Sequence, residues 1–467
     1  MKTLKSVVFK SSRMMRHREQ IVLLFLTVAV FAAQGALPVT GLPYINVTSF
    51  KITNSSTTGF TVISDGRTNN VAKNSAANPP NGIYGAIRNN GTVQDDSAAF
   101  QRALDILNAA KGGVLFIPDG TYAFMNQVSV TASGWALTIQ GESTNGVHIY
   151  CDNPDGLFKI QDVTRNAQIT IRDLDLIALR ANAGTALYVT PVVTRLGVDD
   201  ARTLIAENIT MRHLSSTDFF NKGLVMGVLT PYSGDGLATA TNSGCVRSIV
   251  TGCSFKAPAN AQVYLADCGF DFSECYGPEL LDCSVKGAKV GYEMGLSSRL
   301  EMGMLNRCNA DYCMTGIKIW SRYFWSDNLW EDEKPAPEGY VPDQPPGCAP
   351  MFNITDCTIR ARDFGLILQG RRLVQVMRNT FTRLTTAPLT DIQLGTVREG
   401  SVANNVFLGS SGNRTNIVVT CGLSRAGQAF ANSYDLVIGP NTLSDGQSGT
   451  TSPMIWVDPR TYDIFRY

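Results

Sequence analysis

Asp267, Asp271 and Glu274 fall within eight residues of one another, Glu293 follows 19 residues after Glu274, and Lys318 and Arg322 lie 25 and 29 residues beyond Glu293. Two carboxylates about 5 to 9 Å apart suit glycoside hydrolysis, one as acid and the other as nucleophile or base. A carboxylate beside Lys and Arg also suits β-elimination of a uronate, in which a base takes the C5 proton and the cation stabilises the enolate. Trp320, Tyr323, Trp325 and Trp330 follow closely and offer flat faces on which sugar rings stack. Each residue also has a plainer reading. Acidic side chains at turns are commonly just solvated, and aromatics commonly pack a long loop against its support.

Bringing these residues together requires a repeating scaffold. From about residue 160 the chain repeats a short apolar strand, a polar pair, a second strand, a variable loop and a third strand. Aligning the units puts Leu174, Ile209, Cys253, Cys283, Cys308, Cys357, Asn379, Asn405 and Asn441 at one equivalent position, with spacings of 35, 44, 30, 25, 49, 22, 26 and 36 residues. The minimum of 22 is one three-strand coil, and larger spacings are insertions at a turn. Stacked coils pair in parallel about 4.8 Å apart, so equivalent side chains form rows. Four thiols continued by three Asn amides predict an interior ladder of free, buried cysteines and hydrogen-bonded asparagines, since parallel Cβ vectors disfavour a disulfide. Of the 11 cysteines, Cys268 with Cys275, and Cys245 with a neighbour, remain open as loop disulfides. No Cys-x-x-Cys pair exists, and the histidines are His17, His148 and His213, so no zinc site is expected.

The strands after the ladder position are read at 223–229, 262–266, 290–294, 316–320, 364–368 and 417–420. The variable segment follows each, so the long loops leave at one edge. Residues 231–244 form one wall and 321–350 the other. Between them, short connections at 267–276 and 295–298 leave a groove roughly 14 Å long, room for two or three sugar rings. A second groove between 321–350 and 421–434 would have Asp363, Gln369, Arg371, Arg372 and Asp391 on its floor.

The N-terminal part carries the most specific pattern. Phe100, Ala103, Leu104 and Leu107 fall at helical spacing, Asp95 or Asp96 precedes them as a cap, and Gly112 and Gly113 follow, predicting a helix over 97–110. Val114 to Ile117 then reads as a strand stopped by Pro118-Asp119-Gly120. Tyr84 to Leu104 and Gly112 to Phe124 resemble the start of the pectate-lyase-like superfamily, of the rhamnogalacturonase and epimerase type. The resemblance implies an all-β fold, a single-stranded right-handed parallel β-helix of three-strand coils with a short N-terminal capping α-helix. It also implies action on polysaccharides. The superfamily's catalytic patterns are largely missing: Gly316-Ile317-Lys318 is similar to the end of the polygalacturonase-type Arg-Ile-Lys motif, but there is no Gly-His-Gly and no Asp-Pro-His.

With 467 residues, 42 Gly, 17% charged residues and net charge +1, the chain has no polyelectrolyte character, and nucleic acid is not an expected partner. The apolar run 21–36 behind Lys10, Arg13, Arg16 and Arg18 reads as a signal peptide cut near Gly35 to Ala36, with an uncleaved signal anchor as the alternative. The expected organisation is therefore a signal segment (1–35), an N-terminal extension (36–80) and the β-helix (81–467), exported and without a stable membrane span after cleavage. Asn46, Asn54, Asn90, Asn208, Asn353 and Asn413 begin glycosylation triplets, of which Asn208 and Asn353 sit in predicted strands. No cofactor is required, although Asp267 and Asp271 are candidates for a calcium ion. The leading expectation is an extracellular polysaccharide lyase or glycoside hydrolase. The rivals are a non-catalytic glycan-binding or adhesin β-helix and a structural surface protein.

Overall fold

The computed structural model describes residues 44–47, 95–163, 167–191, 202–226, 247–259, 263–272, 277–294, 303–319, 349–384, 390–409, 415–420, 433–444, 450–451, 455–459, 461 and 464–466. The signal-like segment and most of the 36–80 extension lie outside them.

Helix α1 spans Ser97–Ala110 and buries Phe100, Ala103, Leu104 and Leu107, the stripe that the spacing predicts. Phe100 packs edge-on against Phe124 at 4.7 Å and Tyr122 at 5.4 Å between ring centroids, so the helix covers the apolar end of the first coil. Asp95 Oδ1 accepts the Ser97 and Met125 backbone N–H groups, and Asp96 Oδ2 accepts that of Ala123. Both aspartates therefore fasten the helix start to the first coil, but only Asp95 caps it, since the Asp96 side chain makes no capping hydrogen bond. The helix ends with Lys111 in the left-handed region at φ 55°, one residue before the expected Gly112. Tyr44–Asn46 adds a parallel strand beside Gly113–Ile117, so part of the 36–80 segment belongs to the sheet.

Beyond α1 the chain is a right-handed parallel β-helix of three-strand coils, and all named strand pairs except Thr442–Ser444 with Thr450–Thr451 are parallel. The ladder stacks as aligned. Ile209 pairs with Leu174, and the register of the following residues carries the row through Cys253, Cys283, Cys308, Cys357, Asn379, Asn405 and Asn441. The Asn379 amide donates to Asn405 Oδ1 and the Asn405 amide to Asn441 Oδ1, each at 3.0 Å. The same oxygens accept the backbone N–H of Asn379 and Asn405. Each amide thus satisfies a neighbour that burial would otherwise leave without a partner. Cys151, Cys253, Cys268, Cys283, Cys308, Cys313 and Cys357 are free and buried, which excludes the Cys268–Cys275 disulfide. Burial pushes the Cys253 thiol up to about 12.

The residue before each ladder position except Asn441 turns the corner in the left-handed region. Asp173, Asn208, Gly252, Asp282, Arg307, Asp356, Arg378 and Asn404 all have φ between 52° and 62°. Asp, Asn and Gly tolerate this conformation best. The two arginines at this corner each make a two-pronged bond to the aspartate one coil before, Arg307 to Asp282 and Arg378 to Asp356, all at 2.7 Å.

The third strand of one central coil departs from the sequence reading. It is Ala266–Phe272 rather than 262–266, so 267–272 is strand and not connection. In that coil the extra residues, 257–265, precede the third strand, and the insertions do not all leave at one edge. No helix among the described residues is long and apolar enough to cross a membrane.

Candidate functional site

Five glycines shape the third face. Gly223, Gly269, Gly291, Gly316 and Gly365 occupy one position on successive coils, where a Cβ would meet the carbonyl oxygen of the next coil at 2.4, 2.8, 2.4, 2.7 and 2.6 Å respectively. The same added atoms would strike or crowd Phe255, Val285, Ala310, Ile359 and Phe381 from the second face. Only glycine admits this close approach of two sheets. Immediately after the glycines, Leu224, Phe270, Tyr292, Ile317 and Leu366 are fully buried in the core, with the Phe270 and Tyr292 rings stacked at 5.5 Å. The next residue on each strand therefore points outward, because side chains alternate along a strand.

Those outward residues are Val225, Asp271, Glu293, Lys318 and Ile367, paired in register from coil to coil. Asp271 and Glu293 are thus neighbours across one strand spacing of about 4.8 Å. Lys222 Nζ donates to Asp271 Oδ2 at 2.6 Å and Lys318 Nζ to Glu293 Oε1 at 2.9 Å. The result is a line of charges in the order plus, minus, minus, plus. Asp271 is buried, with 5% of its side chain exposed, whereas Glu293 and Lys318 keep 17% and 31%. Burial works against the Lys222 ammonium, but the charge and hydrogen bond of Asp271 outweigh it, with Glu293 adding to the effect, and Lys222 is held above its usual value. Cys268 lies beside Lys222 in the register. Burial, followed by the Asp271 and Glu293 carboxylates, pushes this thiol well up, so it stays protonated and is not a nucleophile.

Of the residues that the sequence singles out, Asp271, Glu293 and Lys318 meet in this row. Asp267 does not join them. It sits at the start of the strand, bonded to Lys289 at 2.6 Å and to the Asn221 amide at 2.9 Å. Neither Asp267 nor Asp271 is in a loop. Glu274, Trp320, Arg322, Tyr323, Trp325 and Trp330 lie outside the described residues. Lys222 is the member that the sequence reading missed, although it aligns with Cys268 one coil on.

Of the residues expected on a second floor, Asp363 and Gln369 are half-buried. Arg371 is fully buried and Asp391 is 3% exposed, with the Asp391 carboxylate bonded to Arg383 at 3.3 Å and Asn416 at 2.8 Å. On the second face, Asp175 accepts two bonds from Arg212 and lies 2.7 Å from His148 Nδ1. Among the described residues no three His, Cys, Asp or Glu gather as a metal site. Lys222 and Lys289 hold the two carboxylates considered for calcium.

No family model matches the chain, and no curated protein matches it in sequence. Solved structures do match in shape. A tailspike protein of E. coli bacteriophage HK620 aligns with 80% of this chain and 61% of its own at 12% identity and a TM-score of 0.50. DFA-IIIase from Arthrobacter chlorophenolicus A6, in complex with GF2, aligns with 80% of this chain and 91% of its own at 9% identity and a TM-score of 0.50. The A-module of mannuronan C-5 epimerase AlgE6 from Azotobacter vinelandii aligns over 80% and 94% at 17% identity with a TM-score of 0.43. The chain shares with such proteins the right-handed parallel β-helix, and the likeness extends to fold alone.

Proposed function

We propose that this chain is a polysaccharide-cleaving β-helix enzyme whose reacting groups are Asp271 and Glu293. The observation that supports this most directly is the registered pair of carboxylates, each tied to its own lysine. One strand spacing brings two carboxyl groups close to the separation of about 5 Å used in retaining glycoside hydrolysis. Asp271, buried and bonded to Lys222, suits the nucleophile. Glu293 is the more exposed carboxylate and suits the acid and base. Lys318 donates to Glu293 at 2.9 Å, and its ammonium is the group placed to turn toward an anionic sugar. A sugar carboxylate would draw it, which favours a uronate-containing polymer. The likeness to the tailspike and to DFA-IIIase supplies the fold, and the functional reading rests on the row itself.

A second reading has a specific observation behind it. Glu293 and Lys318 form a base and a cation 2.9 Å apart, the pairing that β-elimination of a uronate uses. The test is incubation of the protein from Ala36 onward with a panel of neutral and acidic polysaccharides, following reducing ends and absorbance near 235 nm. Reducing ends without absorbance support hydrolysis, both together support elimination, and neither sinks the enzymatic reading in favour of glycan binding. Export is proposed on the 21–36 segment, which lies outside the described residues, and secretion of a tagged full chain would test it.

A further inference from the structure

The row that holds Asp271, Glu293 and Lys318 continues in both directions and meets an aromatic residue on each side. Toward the C-terminus Lys318 pairs with Ile367, Ile367 with Gln393, Gln393 with Val418 and Val418 with Trp456. Ile455 and Val457, which flank Trp456, pack against the core, so the indole points outward on the same face as the carboxylates, and Trp456 is 47% exposed. Toward the N-terminus Asp271 pairs with Val225 and Val225 with Tyr188. Tyr188 stands between the buried Leu187 and Val189, and Lys159 Nζ lies 5.8 Å from its ring centre.

We infer that the part of this row from Glu293 to Trp456 is a track for an extended polysaccharide, and that Trp456 is a sugar-stacking subsite at its far end; on the other side of Asp271 the row passes through the buried Val225. The inference rests on the reading above, that the row handles a polysaccharide. Four strand steps separate Lys318 from Trp456, about 19 Å, and two separate Asp271 from Tyr188, about 10 Å. A polymer lying along the helix axis meets one outward side chain per coil, at close to one sugar ring per step. The arm toward Trp456 is uncharged. Ile367, Gln393, Val418 and Trp456 offer apolar and amide contacts for ring faces and hydroxyls, while Lys318 receives the acidic group. Trp456 therefore reads length. An oligosaccharide that ends near Lys318 never reaches it, and one extending roughly five rings beyond the carboxylates does.

The experiment compares binding of an acidic tetrasaccharide and decasaccharide to full chains carrying Glu293→Gln, with and without Trp456→Ala or Trp456→Phe, by calorimetry. Oligogalacturonides and alginate oligomers serve as probes. The decasaccharide is expected to bind more tightly than the tetrasaccharide, with Trp456→Ala weakening only the longer one, by about threefold to tenfold. Trp456→Phe should retain most of the difference. An unchanged length preference in Trp456→Ala overturns the inference, as does a change confined to self-association in sedimentation. If the parent chain cleaves no polymer but Trp456→Ala still abolishes length-dependent binding, the track stands and catalysis falls. If cleavage needs Glu293 but is indifferent to Trp456, catalysis stands and the track falls, and no binding of either probe sinks both.

Discussion

Asp271 and Glu293 hold the same position on successive coils, and each carboxylate bonds to a lysine of the coil on its far side, Lys222 at 2.6 Å and Lys318 at 2.9 Å. Two like charges side by side are tolerated because each has an opposite charge closer than the other carboxylate's strand spacing.

The two lysines should differ in what their loss costs. Lys222→Met removes the ammonium from a carboxylate with 5% exposure and should destabilise the fold by about 3 kcal/mol. Lys318→Met acts on a more solvated pair and should cost about 1 kcal/mol or less, yet abolish turnover of an acidic polymer. Urea unfolding of both variants, alongside turnover, checks the contrast; equal destabilisation would contradict it.

The ladder should be more sensitive in its amide half than in its thiol half. Asn405→Ala strips Asn379 of its side-chain acceptor, takes the side-chain donor from the Val376 carbonyl and leaves Asn441 Oδ1 with the residue-405 backbone N–H alone, an expected loss of about 3 kcal/mol. Cys308→Ala removes a small, soft side chain and a weak S–H donor, and about 1 kcal/mol is expected. Denaturant midpoints for the two variants should fall in that order.

Gly291→Ala brings a methyl group to 2.4 Å from the Gly316 carbonyl oxygen. The coils must shift to admit it, at a cost of about 2 to 3 kcal/mol. Because the displaced strands carry Glu293 and Lys318, the variant should lose activity on substrate even where calorimetry shows it folded. Full activity in a folded Gly291→Ala protein would refute the role of the glycine row in setting the site.

Acid should weaken the fold through carboxylates that face cations. At Asp267 burial raises the carboxyl, but the Lys289 and Asn221 hydrogen bonds outweigh it, and the group lies below its ordinary 3.8. Arg307 lowers Asp282 and Arg378 lowers Asp356 in the same way. A carboxylate lowered by folding stabilises fully above its unfolded value and loses that contribution as pH falls through the folded one. The gap in urea midpoint between the parent and an Asp267→Asn, Asp282→Asn, Asp356→Asn variant should therefore be constant at neutral pH and close as pH falls below 3.8 through the lower folded-state values. With all three side chains at least one-third exposed, the gap should also shrink in 1 M salt.

The scaffold was legible where one position repeats in type. Thiol after thiol and then Asn after Asn mark an interior row irrespective of loop length, and the helix stripe of Phe100 to Leu107 marks the first coil's cover. The site was half legible. Asp271, Glu293 and Lys318 stand out as charges, but Asp267 and Asp271 made 267–272 look like a loop, whereas Phe270 and Phe272 are the inward residues of a strand. Two carboxylates on an apolar sheet can be solvated or paired on the outer face without disturbing the inner one. Lys222 was hidden because its partner lies 49 residues away, and that distance closes only once Ala266–Phe272 is set as the third strand.

Each coil rests only on the coils before and after it, so the molecule has no single all-or-none core in the way a sandwich does. The cap of α1 closes the first coil, while Ile455–Val457 and Ile464–Arg466 each have a strand partner on one side only among the described residues. Fraying should therefore begin at the last coils, and amide exchange should fall off from there inward. Asp271, Glu293 and Lys318 come from three adjoining middle coils, so the reacting centre should outlast the loss of that end. Trp456 would be the first part of the track to go, making reach along the polymer, rather than chemistry, the property that mild heating removes first.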